Sequence, residues 1–171
     1  TTSDEEIRNL LSKAVANLNY NAGAVEKENI DKICRSLAIL RPAIPLEVLS
    51  VISNVDESAI KSFVTDLASS IRIIGKSVQI FDESTETWFR ENFSPTKDVL
   101  ATFIKTLKQI SITNSYAAYV LPQLMLEAGQ FEDLVNLALS SQALPEDTPL
   151  EKRNIELQLL QFAIKASLKA H

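Results

Sequence analysis

The sequence predicts a mostly α fold in which three short helices are closed by a β-hairpin and followed by antiparallel helical hairpins. Apolar residues recur at helical spacing over most of the 171 residues. The pattern turns from helical to alternating in one place, Ile71-Arg72-Ile73-Ile74 and then Ser77-Val78-Gln79-Ile80-Phe81. Composition agrees with a packed helical core: 46% of the residues are hydrophobic, 23% are charged and only three are glycine.

The elements follow in order. Ser3 and Glu6 have the spacing of a capping box, and the helix behind them places Ile7, Leu10, Leu11, Ala14, Val15 and Leu18 on one face. Asn19 to Gly23 reads as a loop. The next helix, from about Asp31, carries Ile33, Leu37 and Leu40. After the break Arg41-Pro42-Ala43-Ile44-Pro45, a short helix carries Leu46, Leu49 and Ile52, and a third spans Glu57 to Ser69 behind Asp56 as a candidate N-cap. A two-residue loop at Gly75-Lys76 pairs Ile73 with Val78 and Ile71 with Ile80, leaving Arg72 and Gln79 on the opposite face. Three compact helices and one hairpin make the layout of a winged helix.

Asp82 is the expected cap of the helix after the hairpin, whose first turn holds Glu83 and Glu86 at the positive end of its dipole. Trp88, Phe89 and Phe93 are read as core anchors, each contributing about 2 to 3 kcal/mol on burial. Ser94-Pro95 is expected to restart the chain as a cap and a first-turn proline. Val99, Phe103, Ile104, Leu107 and Ile110 then define a helix. Ser115 to Ala128 stops at Gly129, and Phe131 to Ser140 pairs with it, so that Tyr119, Leu124 and Leu126 face Phe131, Leu134 and Leu137. Pro122 should bend or divide the first member of this pair. Leu144 to Asp147 is a loop. Thr148-Pro149-Leu150-Glu151 combines a capping box with a first-turn proline and opens a last helix carrying Ile155, Leu159, Phe162, Ala163 and Ala166. The expected organisation is a leading helix and loop over residues 1–24, a winged-helix domain over 25–94, and a TPR-like or α-solenoid-like helical region over 95–171.

Several function classes lose ground on chemistry. There is no Gly-rich phosphate loop and no dinucleotide fingerprint. The one histidine, His171, is the last residue, so a serine or cysteine nucleophile lacks an imidazole partner. Cys34 sits in an apolar helical pattern and reads as a small core residue, and a single cysteine makes neither an internal disulfide nor a zinc cluster. The chain is therefore expected not to be an enzyme, to carry no metal and to hold no cofactor of its own. A net charge of −5 argues against general attraction to nucleic acid or anionic membrane. The helix that would enter a major groove offers Lys61 against Glu57 and Asp66, and the hairpin adds only Arg72 and Lys76. No apolar run reaches the roughly 20 residues that span a bilayer, and the acidic N-terminus does not look like a signal peptide. A cytoplasmic setting, and a chain cut from something longer, are the expectations.

The segment Leu37 to Leu49 (LAILRPAIPLEVL), with Val55-Asp56, Asp66-Leu67 and Val78 to Phe89 (VQIFDESTETWF), resembles the winged-helix region of STAND-class NTPases, including NACHT-type proteins. The hairpin from Tyr119 to Leu137, turning at Glu127-Ala128-Gly129, resembles the start of the helical sensor of that class. The resemblance spans about Ile30 to Leu139. It implies a parent chain with an N-terminal ATPase that binds ATP or ADP and a C-terminal sensor, the winged helix holding the resting state until a ligand releases it for exchange and oligomerisation. Related plant and animal members place a Met-His-Asp motif after the wing, and its histidine touches a phosphate. The matching segment here is Ile80-Phe81-Asp82, so only Asp82 carries over, as a nucleotide-proximal residue of the parent. Many prokaryotic members act in antiviral defence. A DNA-binding regulator with a helical ligand or dimerisation domain, and a helical scaffold of PCI type, are the alternatives; in the scaffold the helical repeats come first, the reverse of the order here.

Overall fold

A computed structural model describes residues 2–67, 70–140 and 144–170. Nine helices and one small sheet occur among the described residues, in two compact units, one ending at Pro95 and the other beginning at Thr96.

The first unit contains α1 (Thr2–Asn21), α2 (Ala24–Ile39), β1 (Ile44–Pro45), α3 (Leu46–Ser53), α4 (Glu57–Leu67), β2 (Ile71–Ile74), β3 (Ser77–Ile80) and α5 (Glu83–Asn92). Helical periodicity puts Ile33, Leu37, Leu49, Ile52, Ile60, Phe63 and Val64 into its core. Strands β2 and β3 pair in the register expected, Ile71 opposite Ile80 and Ile73 opposite Val78. Gly75 takes φ +62° at the turn, a conformation that costs a residue with a Cβ more than it costs glycine. A third strand was not anticipated: β1 lies antiparallel to β3, Ile44 opposite Val78, giving the order β1-β3-β2. The supposed break at 41–45 therefore completes a sheet, and the Leu46 N–H donates to the Lys76 carbonyl at 2.8 Å.

Other local expectations are corrected. Helix α1 begins at Thr2, so Ser3 lies within it and does not cap it, and it runs through Asn21, leaving Ala22-Gly23 as the connection in place of a loop over 19–23. Helix α2 starts seven residues before Asp31. Leu10 faces solvent, while Leu11 and Val15 are buried, because the covered arc of α1 is narrower than its apolar arc. Helix α4 is described to Leu67, and the expectation that it continues to Ser69 falls outside the described residues.

The second unit contains α6 (Lys97–Ile110), α7 (Ser115–Glu127), α8 (Phe131–Leu139) and α9 (Pro149–Ala170). Thr96, not Ser94, caps α6: its side chain accepts from the Val99 N–H, whereas the Ser94 hydroxyl donates back to the Arg90 carbonyl at the end of α5. Asn114 caps α7, accepting from the Ala117 N–H at 2.9 Å. Helix α7 is continuous through Pro122, so the proline does not divide it. Its end is a Schellman closure: Gly129, at φ +73°, donates to Leu126 and Gln130 donates to Met125. Leu124 and Leu134 are buried at the hairpin, while Tyr119 is 43% exposed. Thr148 accepts from the Glu151 N–H at 3.2 Å, the capping contact expected at the start of α9. The preceding Asp147 accepts from the Ser115 hydroxyl and the Thr148 N–H, and these bonds, the hydroxyl first, hold its carboxyl below the usual range.

Candidate functional site

The segment between the sheet and α5 concentrates the residues singled out by the sequence. Strand β3 ends at Ile80, the Phe81 N–H donates to the Ser70 carbonyl at 2.9 Å, and Asp82, in extended conformation, turns the chain into α5. Its carboxylate accepts from the Thr85 N–H at 2.7 Å, so Asp82 is the N-cap. The Thr85 side chain is buried and its hydroxyl donates to Ser70 Oγ at 2.8 Å, tying the helix start to the residue just before β2. Phe81 is 55% exposed, with the Arg72 guanidinium 5.4 Å from its ring centroid.

Three aromatic rings fix the other end of α5. Trp88 is 5% exposed and Phe89 fully buried, their centroids 5.1 Å apart at 81°, an edge-to-face contact. Phe93 is half-buried, 5.7 Å from Trp88. The indole N–H donates to Ser12 Oγ of α1 at 3.0 Å, and Arg8 of α1 pairs with Glu91 at 2.6 Å. The anchoring role expected for Trp88 and Phe89 thus extends to α1, through Ser12 and Arg8, which carry no sequence signal of that role because each contact joins positions more than seventy residues apart.

Around Asp82 lies an open hollow lined by Ile80, Phe81, Asp82, Glu83, Glu86 and Arg90. Three carboxylates face one guanidinium there, so a phosphate entering it meets more negative charge than positive. The outward face of α4 has the same character: Glu57, Lys61 and Asp66 are exposed on it together with Ser58, Ser62 and Thr65. Through Pro95 the sequence holds ten Lys and Arg against fourteen Asp and Glu, a net charge of −4.

In the second unit, a cleft of about 290 Å³ is lined mainly by apolar side chains, including Leu121, Pro122, Leu137, Leu144, Leu159 and Leu160. The hydroxyls at its edge are already committed, Ser111 to the Lys108 carbonyl and Ser140 to the Leu137 carbonyl. Among the described residues, no group of three or more His, Cys, Asp or Glu is placed to hold a metal ion, and no buried side-chain N or O lacks a partner. Cys34 is fully buried, and burial first, with the Asp31 charge second, pushes its thiol pKa far above the ordinary value. His171 lies outside the described residues. No helix is long and apolar enough to cross a membrane among the described residues.

No protein-family model matches the chain, and no curated protein matches it in sequence.

Proposed function

We propose that this chain is a non-catalytic regulatory and interaction segment of a STAND-class, NACHT-type signalling ATPase. On this reading α2 to β3 form a winged helix, α6 to α9 open a TPR-like sensor, and the winged helix couples nucleotide state in an N-terminal ATPase module to that sensor. The ATP or ADP belongs to the parent, and antiviral defence is a role open to it.

One observation carries the reading furthest. Helix α4 occupies the place of a recognition helix, yet its outward face has one cation, Lys61, against Glu57 and Asp66. Affinity for a duplex rests largely on neutralised phosphates, which this face cannot supply, whereas a domain that meets another protein module has no such requirement. The strand β1 adds support, since it seats the RPAIP segment of the resemblance against the hairpin. Asp82 acts as a cap, and any approach to nucleotide in the parent would be made beside Glu83 and Glu86.

The parent reading frame upstream of Thr1 tests this directly. A Walker-type phosphate loop within the preceding few hundred codons is expected, and its absence rejects the assignment. Gel-shift titration at low salt addresses the DNA-binding alternative: no shift is expected, while tight, salt-sensitive binding lost in Lys61→Glu would favour that alternative.

A further inference from the structure

The cleft of the second unit is apolar in its body and one-sided in its polar chemistry. Leu121, Pro122, Leu137 and Leu159 are part of its wall. Among the described residues that line it, the polar side chains are Ser111, Ser140 and Glu156. Both hydroxyl protons are already in use, Ser111 donating to the Lys108 carbonyl at 2.8 Å and Ser140 to the Leu137 carbonyl at 2.7 Å. Each oxygen then has only lone pairs to offer, and the Glu156 carboxylate accepts without donating. The main chain repeats this bias. Pro122 has no N–H, so the Ala118 carbonyl one turn earlier is denied its helical bond from that position, and both residues line the cleft. Ser111 is the C-cap of α6 and Ser140 the C-cap of α8, so two helices end here with the partly negative, carbonyl ends of their dipoles. No Lys or Arg is among the described residues lining the cleft. Lys152 pairs with Glu146 at 3.5 Å, and Lys108 lines the adjoining hollow together with Asp133.

We infer that this cleft binds a small lipophilic amine in its protonated form, the hydrocarbon body lying against Leu121, Leu137 and Leu159 and the ammonium donating to the oxygens of the wall. Each part of that ligand answers a feature of the site. The leucines take apolar surface out of water. A wall of acceptors satisfies a group that carries only donors, and Glu156 supplies the opposite charge. A carboxylate of the same shape would set lone pairs against lone pairs, which selects against it. Size sets the class: the volume is about 290 Å³, against about 150 Å³ for a cavity that holds benzene. One turn of a helix, about 10 Å across and about 5 Å tall, would overfill it. The cleft lies in the unit read above as the start of a sensor, but this binding chemistry does not depend on that reading.

Isothermal titration of the 171-residue chain with three probes tests the inference. The probes share the adamantane cage and carry an amine, a hydroxyl or a carboxylate. The amine is expected to bind with a Kd on the order of 100 µM, the alcohol about 5-fold and the carboxylate at least about 30-fold more weakly. Ala138→Phe fills the cleft and should abolish binding of all three, with circular dichroism confirming the fold. Glu156 is exposed, so Glu156→Gln leaves the fold intact and should weaken the amine about 3-fold while leaving the alcohol unchanged. Absence of heat with the amine overturns the inference, as does an alcohol or carboxylate that binds equally well. Amine binding that survives in folded Ala138→Phe also overturns it, since the net charge of −5 then attracts the cation to the surface at large. If that variant fails to fold, Glu156→Gln decides alone: a loss confined to the amine supports the site, and no loss rejects it. These outcomes do not depend on whether a phosphate loop lies upstream, so the failure of either idea is distinct.

Discussion

Truncating Trp88 tests whether α5 is anchored to α1 through the Trp88 side chain. The indole is 5% exposed, packs edge-to-face on Phe89 at 5.1 Å and lies 5.7 Å from Phe93. Removing a buried ring of this size costs about 3 to 5 kcal/mol, the transfer of the ring and the cavity it leaves together. Trp88→Phe separates the polar from the apolar part. It keeps most of the buried ring and deletes the donor to Ser12, whose residue is exposed and can turn to water, so its hydrogen-bond share is about 1 kcal/mol. Urea unfolding followed by circular dichroism at 222 nm suits all variants, since Trp88 is the sole tryptophan and fluorescence would vanish with it. A double-mutant cycle of Trp88→Phe with Ser12→Ala should return a coupling near that hydrogen-bond value. A Trp88→Ala midpoint within about 0.5 kcal/mol of wild type would refute the anchoring, because only a solvated ring could be lost so cheaply.

Asp82→Ala should lower stability by about 1 kcal/mol through loss of the α5 cap, while Asp82→Asn, still a good cap, should lose much less; if both lose equally in urea melts, the charge and not the cap is what matters. Gly75→Ala meets no neighbouring atom, so its cost is confined to the positive φ, about 1 kcal/mol, and a variant as stable as wild type would show that the turn relaxes. The raised thiol of Cys34 sets a pH dependence. The folded state keeps its proton above the pH at which the unfolded chain releases it, so the unfolded state binds fewer protons there and stability falls as pH rises past about 9. The slope approaches about 1.4 kcal/mol per pH unit, and Cys34→Ala should remove that component; parallel urea-stability curves for the two proteins from pH 8 to 10.5 would contradict it.

Local chemistry wrote much of the fold into the sequence. The change of period at Ile71 and the two-residue turn at Gly75 fix the hairpin register, because a slip by one residue would turn Ile71 and Val78 to solvent. Asp82, Thr148 and Gly129 are equally legible, since a cap or a left-handed closure needs only neighbours three to five residues away. Where two hydroxyl residues stood close together, Ser94 and Thr96, the pattern named the wrong one, because α6 begins at Lys97 and only Thr96 stands three residues before the Val99 N–H that the cap accepts from.

What only the tertiary structure decided are the pairings between distant segments. A two-residue strand at Ile44-Pro45 has no periodicity to read, and it exists only because β3 offers it an edge. Tyr119 and Leu10 belong to apolar patterns, yet neighbouring helices cover a narrower arc than those patterns allow. The bond from Trp88 to Ser12 crosses 76 residues, and no local preference encodes it. The same reason explains α9: apolar residues recur on more than one side of it in the sequence, and packing alone separates Ile155, Ala163 and Ala166, which are buried, from Leu157 and Ile164, which are exposed.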